Sequence, residues 1–284
     1  MVELFNFFYF MFIAFGIGMV IAVYFPLRNK SQKICKTVLF LILLSNFALH
    51  FLKLFADHYA QWMPYAIRTI TPENICAVSV LIFPWLFLSK NRILKDYMFY
   101  MGVISGLAAN LFPVDTIGYS AFAFETLRFH YSHTILWTVP ILMVMLKVHT
   151  LDYKRIPKVI PLAFVTLVII LVNEIILIGT GFVHINHLFS TEIRNSALIF
   201  GPLSDVGAVG ALFTSLTPSL FLTVPVGPNA GALFHWPIFW LAIPFYIYAT
   251  IASFLVALPF EHRRVRKDIT ALKMRLRDFY RTFR

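Results

Sequence analysis

The run VIPLAFVTLVIILVNEIILIGT, residues 159–180, is apolar at almost every position and follows Lys154, Arg155 and Lys158. A helix rises 1.5 Å per residue, so ~20 apolar residues cross the hydrocarbon of a bilayer. This run has that length, and its basic flank is what anchors a helix at a membrane surface. It reads as a transmembrane helix. The only strongly polar pair inside it, Asn173-Glu174, is costly in hydrocarbon and therefore needs a partner or a task.

Six further runs of the same character lie at 4–25, 36–55, 74–89, 97–114, 132–146 and 237–258. The composition agrees, with 60% hydrophobic residues against 13% charged, about half the charged share of a soluble domain. The expected fold is all-α, a polytopic transmembrane helix bundle of about seven spans. The first run has no basic segment before it and no small-residue cleavage site, so it reads as a retained helix rather than a signal peptide.

Charge between the runs alternates. Arg28, Lys30, Lys33 and Lys36 follow the first, Lys90, Arg92 and Lys95 the third, and Lys147, Lys154, Arg155 and Lys158 the fifth. The last run is followed by nine basic and three acidic residues. The connections in between (Asp57, Arg68, Glu73; Asp115, Glu125, Arg128; Glu192, Arg194, Asp205) each carry one net negative charge. Positive connections stay in the cytoplasm, which puts the N-terminus outside and the C-terminus inside a multi-pass protein of the cell membrane. The net charge of +11 is thus topological, and nothing in it resembles a nucleic-acid surface.

Residues 181–236 are too long for a bare connection, and Gly201-Pro202, Asp205, Gly207, Gly210 and Pro218 break them up. A re-entrant or surface element is expected there, with a hairpin of two spans as the alternative. Two domains are expected, residues 1–260 in the membrane and a basic cytoplasmic tail over 261–284. In the tail Val265, Ile269, Leu272, Leu276, Phe279 and Phe283 form one apolar stripe among cations. That pattern suits an interfacial helix on anionic lipid, or else a short coiled coil. Gly102 and Gly106 form a GxxxG, a spacing at which helix backbones approach closely. Packing inside the chain is the plainer use, a homodimer the alternative.

With the topology set, the polar residues gather at the outer ends: His50, Lys53, Glu73, Asn74, Cys76, Ser79, Asn110, Asp115, His130, His133, Asn173 and Glu174. Lys53 and Glu174 could pair across the bundle, or Lys53 could hold a phosphate or carboxylate. Cys76 and His133 are the most reactive combination. An imidazole can take the proton of a thiol and return one to a leaving group, and a helix N-terminus favours the thiolate. As a plainer alternative, Cys76 is a small buried hydrophobe and His133 an interfacial donor. His130-x-x-His133 and His184-x-x-His187 could each offer two ligands, but no HExxH or CxxC accompanies them, so no metal is expected and no cofactor. Cys35 and Cys76 fall near opposite faces, too far apart for a disulfide.

The succession Leu49-His50-Phe51, Pro72-Glu73-Asn74-Ile75-Cys76, Gly106 through Pro113-Val114-Asp115, and Phe129-His130-Tyr131-Ser132-His133 resembles the YwaF-like family of bacterial integral membrane proteins. The family's PLHLC pattern has Pro and Cys at the spacing of Pro72 and Cys76, and its F-x-x-S-H pattern aligns with His133. Asn173 matches an Asn of its sixth span. Asn74 stands where the family has His, and Thr134 where Gly is common. The family is similar to animal membrane acyltransferases that make polyunsaturated ether phospholipids, and more distantly to androgen-induced hydrolases of fatty-acid esters. The resemblance implies an acyl-enzyme on Cys76 with His133 as base. The expected function is therefore an acyltransferase acting on a phospholipid or lysolipid in the outer leaflet, for which the polar residues at the outer ends, His50, Lys53, Asn74, Asn110, His130, Asn173 and Glu174, would bind substrate or support the pair. The rival expectations are a permease for a small anionic or amphipathic solute, supported by the intramembrane charge, and a non-catalytic membrane sensor.

The alternation of charge predicts that single cysteines placed beyond residue 261 label from the cytoplasm, and those within 56–71 from outside. Labelling of both from one side would overturn the span count.

Overall fold

The computed structural model describes residues 1–195, 197–203 and 207–282. Among them the chain is helical and forms no strand. α1 (Phe7–Leu27) and α2 (Gln32–Leu52) are capped by the side chains of Asn6 and Ser31. A short α3 (Asp57–Ala60) lies in the next connection, followed by α4 (Ile75–Leu88), α5 (Arg92–Leu111), α6 (Phe124–Met145) and α7 (Ile156–Gly179). α8 (Gly207–Thr214) and α9 (Ala242–Thr282) complete the order. Each of the seven apolar runs lies on one of these helices.

α5 is the centre. It packs against α6 most extensively, and also against α1, α4, α7 and α9. From Tyr97 to Val103 every one of its residues is buried, so that stretch has no face for lipid. The two glycines are what bring α6 so close. A Cβ on Gly102 would lie 2.3 Å from the Leu136 carbonyl oxygen, and one on Gly106 would lie 2.8 Å from that of His133. The GxxxG face is therefore occupied by α6 of the same chain. Around this pair the outer helices turn apolar residues outward: Val165, Ile169, Val172 and Ile176 of α7 are exposed while Ala163, Leu167 and Ile170 are buried. The segments Phe7–Leu27, Gln32–Phe55, Tyr153–Gly179 and Phe239–Tyr280 are long and apolar enough to cross a membrane, and Ile75–Leu88 is a shorter apolar helix.

The connections sort to two ends of the bundle as their charges do. At the basic end Gln32 donates to the Leu146 carbonyl at 2.9 Å, and Arg155 and His149 bind Asp96. Arg264 of α9 reaches Asp152 there at 3.1 Å. At the other end Val2 pairs with the 117–119 turn, Tyr59 with Glu125, and Asn173 with Thr71.

Three boundaries bear on the site or the tail. α6 begins at Phe124 rather than 132, because Arg128 pairs with Glu125 at 2.9 Å across one helical turn and that charged turn stays helical. His133 is thus in the interior of its helix and not at an N-terminus. α5 begins at Arg92 rather than 97, where the Asn91 side chain caps it. The tail expected as a separate helix from 261 is a continuation of α9, which passes unbroken through Pro259. Glu261 accepts from the Tyr153 amide, and Asp268 from the Tyr153 hydroxyl at 2.6 Å, so the first turns of the tail are fastened to the α6–α7 connection. Val265 is buried there, while Ile269, Leu272, Leu276 and Phe279 are exposed. Phe283 of the stripe and Asp205 of the α7–α9 connection lie outside the described residues.

Residues 181–236 contain α8 and short turns, with no long apolar helix among the described residues. Ile199 and Phe200 tuck against Val78, Leu167 and Trp240, closing the bundle at the acidic end.

Gly102→Ala should destabilise the protein by ~1–3 kcal/mol or more, because the added methyl meets backbone that cannot move aside. Gly18→Ala in α1, where nothing lies within 4 Å, should be neutral. Thermal unfolding of the two variants in detergent tests this, and equal stability would mean the glycines do not set the α5–α6 distance.

Candidate functional site

The polar residues singled out in the sequence collect at one end of the bundle, around the end of α5. Asn74 starts α4 by accepting the Ala77 amide on Oδ1 at 2.8 Å, which makes Cys76 the second residue of that helix. There the backbone N–H groups of a helix lack intrahelical partners. The Cys76 thiol rests beside Ser105 of α5, whose hydroxyl donates to the Met101 carbonyl at 2.7 Å. On α6, His133 sits with its carbonyl over Gly106. Cys76 and the main chain of His133 therefore meet α5 at adjoining residues, Ser105 and Gly106, at one level of the bundle. No hydrogen bond joins them. His133 Nδ1 donates to the Phe129 carbonyl at 2.8 Å, a bond that puts the proton on Nδ1 and leaves Nε2 as the basic nitrogen.

One turn away, His130 stacks on Phe12 with ring centroids 3.7 Å apart and planes 6° apart. Its Nε2 faces Thr116 Oγ1 at 3.5 Å, and its Nδ1 is buried without a partner. His130 lines a cavity of about 760 Å³ between α1, α2 and α6, walled by Phe12, Phe15, Leu49, Leu52 and Leu127. Arg128 and Ser45 contribute polar atoms to it, but Cys76 and His133 are not on its wall. Such a chamber, apolar with a few polar groups at one edge, suits an acyl chain.

The supporting residues are held by the connections. His50 Nε2 donates to the Ile70 carbonyl at 3.0 Å, and Lys53 Nζ to that of Thr69 at 2.6 Å. Asn173 donates to Thr71 Oγ1 at 3.0 Å. Asn110 Nδ2 donates to Thr134 Oγ1 at 3.0 Å, while its Oδ1 is buried and unpaired.

The pair expected between Lys53 and Glu174 is replaced by another. Glu174, 3% exposed, is held by Arg194 through two bonds of 2.8 and 2.7 Å, and Arg194 also faces Glu73 at 3.5 Å. Lys53 is occupied by backbone carbonyl and lies over the Tyr59 ring. Sequence reasoning missed Arg194 because it falls in a segment whose path the sequence leaves open. The available signal was the need of a buried carboxylate for a cation at its own end of the bundle. It also missed Tyr59, which donates to Glu125 at 2.6 Å and accepts from Arg128 at 3.1 Å.

Burial pushes the Glu73 carboxyl above the ordinary carboxylate range, with Arg194 and Lys53 pulling it back. Burial also works against the Arg194 charge, but its bonds to Glu174 and the two carboxylates outweigh it and raise its pKa. The trio carries one cation against two acids, so a proton on Glu73 brings it to neutrality.

His184 and His187 have ring centroids 6.3 Å apart in a connecting turn. No group of three His, Cys, Asp or Glu side chains converges among the described residues.

Residues 2–208 match the family model described as TMEM164 family. No curated protein and no solved structure matches the chain. The matched region runs from before α1 into α8 and includes every residue of the site above.

Arg194→Gln should cost ~3–5 kcal/mol, since it leaves Glu174 buried and unpaired. Glu73→Gln should be tolerated at neutral pH. A carboxyl with a raised folded pKa stabilises the fold most at low pH, and that contribution is lost as pH rises through its folded pKa. The stability–pH curve of Glu73→Gln should therefore fall less steeply than wild type from the ordinary carboxylate range upward, as read by thermal unfolding. Parallel curves would assign the Glu73 proton no role.

Proposed function

The chain belongs to the TMEM164 family of membrane proteins, and from this premise we propose a multi-pass acyltransferase of the cell membrane that works on lipid in the outer leaflet. Its seven apolar helices cross the bilayer with the N-terminus outside, and the site sits at their outer ends. The observation that carries the reading is that Cys76 and the backbone of His133 meet α5 at the adjoining residues Ser105 and Gly106, with no hydrogen bond on His133 Nε2. The sequence resemblance to Cys–His membrane acyltransferases supports the same two residues.

In the proposed cycle a donor phospholipid lays its acyl chain in the cavity beside His130. Its ester carbonyl enters between thiol and imidazole, and the side chains close onto it from their resting contacts with Ser105 and Phe129. His133 Nε2 takes the thiol proton as sulfur attacks the carbonyl carbon, so the negative charge moves to the carbonyl oxygen. The amides of Ile75 and Cys76 at the start of α4 would serve as donors to this oxyanion. Collapse breaks the ester C–O bond, the lysolipid oxygen takes the proton from His133, and the acyl group remains on Cys76 as a thioester. His133 then deprotonates the hydroxyl or amine of an acceptor, which attacks the thioester and releases the thiolate to recover its proton. With water as acceptor the same steps amount to ester hydrolysis.

Purified protein incubated with a phospholipid carrying a labelled acyl chain should form a hydroxylamine-sensitive adduct that maps to Cys76. Cys76→Ala and His133→Ala should each lower transfer by ~10³-fold or more, with thermal stability nearly unchanged. Cys35→Ala should keep the adduct, because that thiol is buried at the other end against the Leu27 carbonyl. An adduct on another residue, or full activity in Cys76→Ala, would refute the mechanism.

A further inference from the structure

The basic end of the bundle has a built cavity of its own. It measures about 330 Å³ and is lined by Lys90 just before α5, by Arg92 and Lys95 from its first turn, and by Val148, His149 and Thr150 from the α6–α7 connection. No carboxylate lines it, and none of the three cations has an ion-pair partner among the described residues. Lys36 of α2 adds a fourth positive charge near Lys95.

The adjacent acid is turned away. Asp96 is fully buried and spends its carboxylate on Arg155 and on His149 Nε2, the latter at 2.6 Å. Arg155 also donates to the Thr150 carbonyl at 2.8 Å. This cluster fixes the His149 ring, so that one edge is held by Asp96 while the residue still forms part of the cavity wall. Topology-setting lysines ordinarily extend separately into water. Here they converge on a concave site whose far wall is locked by buried hydrogen bonds, and the start of a long helix adds its own positive end. Repulsion among the gathered cations is relieved by an anion, and Arg and Lys together suit the oxygens of a phosphate.

We propose that this cavity binds a phosphate group, carried either by an anionic lipid of the adjoining leaflet or by a soluble phosphate. The site is separate from Cys76 and stands whether or not that residue is acylated. Its occupant bridges α5 to the α6–α7 connection.

The test uses the full chain, with phosphatidylglycerol, phosphatidylcholine and inorganic phosphate as probes and native mass spectrometry as the readout. Wild type should retain one phosphatidylglycerol per chain under detergent conditions that strip phosphatidylcholine. The variant Lys90→Gln/Arg92→Gln/Lys95→Gln should hold it on the order of a hundredfold more weakly, given the usual contribution of each basic residue near anionic lipid. Lys90→Gln alone, on an exposed turn, should lose part of the retention and guards against misfolding of the triple variant. The charge-matched control Arg28→Gln/Lys30→Gln/Lys33→Gln should retain lipid like wild type. Displacement of phosphatidylglycerol by millimolar phosphate would identify a soluble phosphate as a competent occupant, whereas retention despite it would identify the lipid headgroup. Equal retention by wild type and the triple variant, or equal loss in the control, would overturn the proposal.

Discussion

The approach of α5 to α6 is the contact on which the rest of the molecule depends. Two glycines four residues apart remove the side chains that would hold the helices apart, and the carbonyls of Leu136 and His133 fill the space. In a bilayer, lipid tails are as apolar as leucine, so helices associate through close packing and hydrogen bonds rather than by escaping water. Once α6 lies this close, α5 is enclosed by α1, α4, α7 and α9 as well. Near the end of α5, Asn110 Nδ2 then donates to Thr134 of α6 across this crossing, with its Oδ1 left unpaired.

Charge is handled differently at the two ends. At the acidic end the ionic groups form closed sets across connections, Glu174 and Glu73 on Arg194 and Glu125 with Tyr59 on Arg128. Each set ties a loop to a helix and holds the roof over the candidate site. At the basic end one buried aspartate gathers Arg155 and His149 and leaves the neighbouring lysines without counter-charge. Breaking one partner of such a buried set costs more than the set contributes when intact, because the remaining charge is stranded. Both clusters are thus better regarded as devices that fix geometry than as sources of stability.

The same geometry separates the parts of the proposed chemistry. α6 presents His130 to the apolar cavity shared with α1 and α2, and carries His133 over the α5 crossing. Acyl-chain storage and bond exchange would therefore occur about one helical turn apart. A lipid lying with its tail among Phe12, Phe15 and Leu49 would bring its ester region toward the polar roof. The resting thiol is kept beside Ser105 and the imidazole on Phe129, an arrangement that suits a nucleophile engaged only when an ester is present.

Much of this was legible in the sequence. Hydropathy located all seven long helices, since no soluble structure can hide runs of that length. The alternation of basic and acidic connections gave the sorting of loops to two ends, and the polar residues singled out in the sequence lie at the acidic one. Helix starts were less legible. Residues 92–96 and 124–131 look like loops because they are charged, yet Asn91 caps the first stretch, Asp96 within it binds Arg155, and Glu125 pairs with Arg128 inside α6. Hydropathy scores each charge singly, whereas the fold joins Asp96 to Arg155 and Glu125 to Arg128. The partner of Glu174 was likewise hidden, because Arg194 lies 20 residues on in a segment with no periodicity to place it. Local composition thus determined which segments are helical and apolar, because the requirement to bury backbone polar groups in hydrocarbon acts on each segment alone. Only tertiary packing decided which charges meet and which histidine nitrogen stays free, because those depend on contacts between residues the sequence holds far apart.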